Sequence, residues 1–124
     1  VDFDTNEKVH EEMTRNVGTL TIHRPSRQVS VNGRDFRLST AEFDLLWYLA
    51  GRAGEVVTRD ELFQQVLGFE YNGLDRTVDL RVSRIRKRIG DNSGAPRLIK
   101  SVRSEGYLLV APEEHVPAYE ANSK

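Results

Sequence analysis

Cysteine is absent from all 124 residues, which removes any disulfide framework, thiolate metal site or thiol nucleophile and excludes a small secreted scaffold stapled by disulfides. Long apolar runs are missing as well. The longest, Leu45 to Ala50, has six residues, against the roughly 20 that a membrane-spanning helix needs, so no membrane role is expected. No basic, apolar and small-residue leader stands at the N-terminus, and the first residue is Val, so the expectation is a piece of a longer protein. The three histidines (His10, His23, His115) are scattered, and there is no Gly-rich phosphate loop, metal-ligand spacing or nucleophile elbow. The expectation is therefore no enzyme, no metal and no cofactor.

Leu, Ile, Val and Phe together number 34, enough for one hydrophobic core in a chain of this length. The net charge of −1 hides a segregation along the chain. Residues 1 to 12 carry −4 and residues 111 to 124 carry −2, which leaves +5 between them. From Asp75 to Gly90, six cations (Arg76, Arg81, Arg84, Arg86, Lys87, Arg88) face two acids, Asp75 and Asp79. That is the footprint of a polyanion partner.

The polar, aperiodic residues 1 to 15 read as an acidic linker or tail and 112 to 124 as a C-terminal tail, leaving a domain at 16 to 111. It begins with period-2 patterns at Thr19 to Ile22 and Gln28 to Val31, then Asn32-Gly33, a strong type I′ hairpin signal, and a returning strand at Asp35 to Leu38. A fourth strand fits either Glu55 to Val57 or the sequence before Thr19. Ser39 with Glu42, and Thr58 with Glu61, fit capping boxes that start two helices, the second ending at Gly68. Asp75 can cap a third helix that runs to Gly90. Leu98 to Val102 and Tyr107 to Val110, around Ser104-Glu105-Gly106, form a second hairpin.

In the third helix, Val78, Val82, Ile85 and Ile89 fall within a stripe about 60° wide at 100° per residue. That seam must face the core. Thr77, Leu80, Arg81, Arg84, Lys87 and Arg88 then point outward, and such a cationic face suits the DNA major groove. A plain solvated helix surface is the competing reading, weakened because the face has almost no acids and carries Leu80 among its arginines, where it can touch a thymine methyl. On the final hairpin, Lys100 and Arg103 lie at or near the tip with Ser101 and Tyr107 as hydroxyl donors, the arrangement of a wing. The alternative there is that Tyr107 is core and Arg103 mere surface charge.

Three ordered blocks carry a family resemblance: Leu38-Ser39-Thr40-Ala41-Glu42-Phe43-Asp44-Leu45-Leu46, then Asp75-Arg76-Thr77-Val78-Asp79 with Ser83-Arg84-Ile85-Arg86-Lys87-Arg88, then Ile99 to Tyr107. Residues 18 to 110 resemble the C-terminal DNA-binding effector domain of OmpR/PhoB-type response regulators, and Tyr71 to Arg76 is most similar to RstA-type members. The resemblance implies an α+β fold, a winged helix-turn-helix with an N-terminal antiparallel β-sheet, three helices and a C-terminal β-hairpin wing. It implies sequence-specific binding of double-stranded DNA, on direct repeats, in a cytoplasmic two-component regulatory system that controls transcription. Leu80, Arg81, Arg84 and, from the wing, Arg103 match base-facing positions; Arg76, Thr77, Ser83, Arg86, Lys87, Ser101 and Tyr107 correspond to phosphate contacts. Phe69, Glu70, Tyr71 and Asn72 fall in the loop that meets RNA polymerase in this family. An upstream receiver domain, phosphorylated by a sensor histidine kinase, is also implied, as are a monomeric isolated domain and a head-to-tail dimer on DNA. One departure stands out: Leu67 occupies the place where some members put a phosphate-contacting Trp. The competing function is a winged-helix protein interaction module that uses the basic helix for an acidic partner.

Overall fold

The structure, a computed structural model, describes residues 13–91 and 97–112. Strands β1 (Thr14–Val17), β2 (Leu20–His23), β3 (Gln28–Val31) and β4 (Arg34–Phe36) form an antiparallel sheet in that order. The Asn32-Gly33 turn joins β3 to β4 with φ of 54° and 79°, the left-handed pair a type I′ turn requires. The period-2 pattern puts Val17, Leu20, Ile22 and Val29 on one buried face. Of the two sites expected for the fourth strand, the one before Thr19 is correct for this sheet. Its first strand therefore takes in Thr14 and Arg15, which the sequence pattern had assigned to the linker; the Arg15 guanidinium lies 4.0 Å over the Trp47 ring and donates to the Trp47 carbonyl at 2.6 Å. The strand returning from Asn32-Gly33 is also shorter than expected, ending at Phe36.

Helix α1 (Thr40–Gly51) begins at a complete capping box: Ser39 Oγ accepts from the Glu42 amide at 3.2 Å, and Glu42 Oε1 accepts from the Ser39 amide at 3.0 Å. It is the central element of the core, burying Phe43, Leu45, Leu46, Leu49 and Ala50. After β5 (Val56–Thr58), α2 (Arg59–Leu62) begins with only half a capping box. Thr58 Oγ1 accepts from the Glu61 amide at 3.1 Å, but the Glu61 carboxylate turns to Tyr48 and Arg52. The helix widens into a π turn, Phe63–Leu67, and closes at Gly68. Helix α3 (Thr77–Ile89) follows, then the hairpin of β6 (Ile99–Val102) and β7 (Gly106–Leu109).

The short strand expected at Glu55 to Val57 exists, as β5, but belongs to a second sheet of order β5-β7-β6. A Cβ on Gly106 would sit 2.0 Å from the Val57 carbonyl oxygen, so only glycine lets β7 approach β5 this closely. One continuous cluster joins the inner face of the first sheet, all three helices, and Val57, Ile99, Tyr107 and Leu109 of the second sheet.

Candidate nucleic-acid interface

Helix α3 is oriented by its apolar seam. Val78, Val82, Ile85 and Ile89 are all buried, and the helix packs chiefly against α1. The opposite face is thereby forced outward. Leu80 is 53% exposed, a large apolar side chain held in water between cations. Ser83, Arg84 and Lys87 are exposed beside it, and Arg81 is half-buried on the flank. None of Arg81, Arg84 and Lys87 forms an ion pair among the described residues. A groove of about 280 Å³ runs between the start of α1 and this face, lined by Ser39, Thr77, Leu80, Arg81 and Arg84. The remaining outward cation expected on the helix, Arg88, is tied back instead: its Nε forms an ion pair with Glu42 Oε1 at 2.7 Å.

The start of α3 is already supplied with an anion. Asp75 Oδ1 accepts from the Thr77 amide at 2.9 Å and from the Thr77 hydroxyl, and these bonds hold the Asp75 carboxyl below its ordinary pKa. Asp75 was expected to cap the helix; it instead bonds the first helical amide from one residue ahead of the N-cap, Arg76, which has no side-chain cap bond of its own. Thr77 has both its donors occupied from within, which changes its place in the expected set of phosphate contacts. Arg76 is exposed and leans on Asp79, with Nε donating to Oδ2 at 3.0 Å. Its Nη groups have no hydrogen-bond partner among the described residues.

Two more expected phosphate contacts turn inward. Arg86 is only 8% exposed; Nε and Nη2 donate to the Ile99 carbonyl at 3.1 and 2.7 Å, and Nη2 also donates to Ser101 Oγ at 3.0 Å. The helical wheel gives the reason: Arg86 lies about 70° from the centre of the apolar seam but about 120° from Leu80 and about 160° from Arg84. Tyr107 is 4% exposed, and its hydroxyl donates to Asp79 while accepting from Arg59 Nη2 at 3.4 Å. Its ring is core. Burial pushes the Tyr107 phenol up, and the neighbouring Asp79 carboxylate adds to the rise.

The wing tip keeps its exposed groups. Arg103 is exposed and without an ion pair among the described residues, Lys100 is exposed on β6, and Ser101 still has its hydroxyl proton to give because Oγ accepts from Arg86. In the loop after α2, Phe69 is 53% exposed and meets Phe63 edge-on, whereas Tyr71 stacks on Phe63 with centroids 4.6 Å apart. Asn72 folds the loop by accepting from the amides of Leu74 and Asp75, and Glu70 is exposed.

Arg59 was not singled out in the sequence. Its Nε donates to Asp79 Oδ1 at 2.9 Å, so one carboxylate on α3 gathers α2, β7 and the start of its own helix. The sequence signal was Asp79 itself, an isolated acid on a basic helix. Asp91 was also missed as a structural group: it is buried and accepts from the amides of Arg97, Leu98 and Ile99, fixing the chain's entry into β6.

Residues 33–109 match the family described as transcriptional regulatory protein, C terminal. The transcriptional regulatory protein RstA of Escherichia coli K12 is 48% identical over 92 residues, covering 74% of this chain and 38% of that protein. The heme response regulator HssR of Staphylococcus aureus is 34% identical over 107 residues, covering 86% of this chain and 45% of that protein. The chain therefore spans less than half the length of these two relatives. Among solved structures, the RstA DNA-binding domain of Klebsiella pneumoniae, in complex with the RstA box, has a TM-score of 0.75 at 46% identity, covering 78% of this chain and 96% of that one. DrrB of Thermotoga maritima, an OmpR/PhoB homologue, has a TM-score of 0.71 at 31% identity, covering 86% of this chain and 49% of that one. With its helices, its hairpin wing and these matches together, the chain belongs to the family of transcriptional regulatory protein C-terminal domains, of the OmpR/PhoB winged-helix type.

Proposed function

We propose that this domain binds double-stranded DNA sequence-specifically and so directs transcription, with α3 in the major groove and the wing tip in the adjacent minor groove. The carrying observation is the outer face of α3, where Leu80, Ser83, Arg84 and Lys87 stand free of the core and no acid of the helix shares their side. Arg84 is the group for bidentate recognition of guanine, Leu80 for a thymine methyl, Arg81 for a further base edge and Arg103 for the minor groove. Arg76, Ser83, Lys87 and Ser101 hold the backbone. Thr77, Arg86 and Tyr107, turned inward, support these contacts from behind. The structure of the Klebsiella pneumoniae RstA DNA-binding domain in complex with the RstA box supports DNA binding by this chain.

In the longer regulator, the residues before β1 lead from a receiver domain phosphorylated by a sensor histidine kinase. The protein works in the cytoplasm, pairing head to tail on direct repeats, and the isolated domain is monomeric. Phe69, Glu70 and Asn72 meet RNA polymerase, with Tyr71 bracing the loop from below. Selection of bound sequences from a random duplex pool, followed by salt titration, tests the core of this reading. One defined motif and a log affinity that falls with log salt at a slope near −5, for about six phosphate contacts, are expected. Binding without sequence preference would point instead to an adaptor that uses the basic helix for an acidic protein.

A further inference from the structure

If α3 and the wing read one duplex together, as proposed above, their separation must match the distance between neighbouring grooves, and something must fix it. The apolar seam of α3 is poorly suited to that task. It packs chiefly on α1, and hydrophobic contact is non-directional, so it fixes the depth of the helix far better than its position along the hairpin. Just past the end of α3, Asp91 pins the chain's entry into β6; the directional contacts from within the helix to the hairpin, among the described residues, come from two polar side chains, Asp79 and Arg86.

These two are seven residues apart, about 10 Å along the axis, and within about 20° of each other around it. Both lie on the flank of α3 that faces the hairpin. Near the start of the helix, Asp79 accepts from Tyr107 on β7 and from Arg59 at 2.9 Å. Two turns later, Arg86 donates twice to the Ile99 carbonyl and once to Ser101 Oγ on β6. Tyr107 joins the pair, with the guanidinium carbons of Arg59 and Arg86 lying 5.1 and 5.9 Å from its ring centroid. Two latches at different heights, one to each strand, remove both sliding and tilting of the hairpin against the helix.

We propose that Asp79 and Arg86 are positioning residues that hold the wing at one place along α3, so that they set the spacing between the bases α3 reads and those reached by Arg103. Asp79 also orients Arg76: bonded to the carboxylate through Nε, that guanidinium keeps its Nη edge for a phosphate.

The test is site selection from a random duplex pool with the wild-type domain and the folded variants Arg86→Lys, Tyr107→Phe and Asp79→Asn, each checked for cooperative unfolding. Arg86→Lys keeps the charge but cannot make the forked contact, and Tyr107→Phe removes only the hydroxyl. For both, the bases read by α3 should stay as sharp as in wild type. Preference at the wing-read positions should fall on the order of tenfold, and the selected spacing between the two groups should broaden. Asp79→Asn should do the same and weaken binding to random DNA as well, through Arg76. A role confined to stability would lower the unfolding temperature and leave the selected site unchanged; that result in folded Arg86→Lys and Tyr107→Phe overturns the proposal while leaving DNA reading intact. Absence of any sequence preference in the wild type would overturn both.

Discussion

The four-stranded and three-stranded sheets differ in what holds them to the helices. The first presents a buried aliphatic face, Val17, Leu20, Ile22 and Val29, to the common core and is fastened at one edge by Arg15 against Trp47. The second also buries four hydrophobic residues, Val57, Ile99, Tyr107 and Leu109, but is in addition tied to α3 by Asp79 and Arg86, whose hydrogen bonds have direction. Burial of apolar area stabilises without specifying an angle, whereas a charged hydrogen bond is exacting about geometry. The contrast separates a part that secures the fold from a part that sets the aim of the reading surface.

The sharpest way to break that division is to damage each side and ask whether its signature changes. Ile22→Ala, at a site with no exposure, should cost about 2 to 5 kcal/mol of unfolding free energy by denaturant titration, while the folded remainder selects the wild-type DNA site. A changed motif would refute the separation. Arg84→Ala should lose about 1 to 3 kcal/mol on the selected site and relax one base position without altering stability. Arg76→Ala, in contrast, should weaken specific and random DNA alike and reduce the magnitude of the salt slope by about 0.9, measured by fluorescence anisotropy. Ser39→Ala, which removes half of the α1 capping box, should cost about 1 kcal/mol and leave DNA preference untouched.

The smallest effect concerns acid. Burial alone would raise the Asp79 carboxyl, but hydrogen bonds from Tyr107 and Arg59, with the charges of Arg59 and Arg76, outweigh it and hold the group below its ordinary 3.8. A carboxylate depressed in the folded state contributes stability above its unfolded pKa and loses it as pH falls through the lower folded value. Wild-type stability should therefore drop more steeply than that of Asp79→Asn as pH decreases from about 4, followed by circular dichroism. Parallel curves would show that the network is not coupled to folding.

Much of this was legible from spacing and end signals. The seam of α3, the Asn32-Gly33 turn, the start of α1 and the hairpin wing all follow from rules that act within a few residues. What spacing hid were contacts set by tertiary neighbours. Arg15 reads as linker because nothing local reveals that Trp47, 32 residues away, supplies both a carbonyl and a ring for it. Glu55 to Val57 has the composition of a strand, but only the approach of Gly106 decides which sheet it joins. At the site, exposure of Leu80 and Arg84 followed from the wheel. Arg86, Thr77 and Tyr107 did not follow from family position, because the same donor that suits a phosphate also suits a carbonyl or carboxylate nearby.

Strand β7 lies between β5 and β6, so among the described residues the second sheet ends on β6 with one row of backbone groups turned away from any partner strand. Such an open border invites a foreign strand to add itself and seed aggregation. Lys100 within β6 and Arg103 just past it place positive charge along that border, so like-charged copies repel there, and the charge that draws a polyanion also helps keep the protein from polymerising with itself.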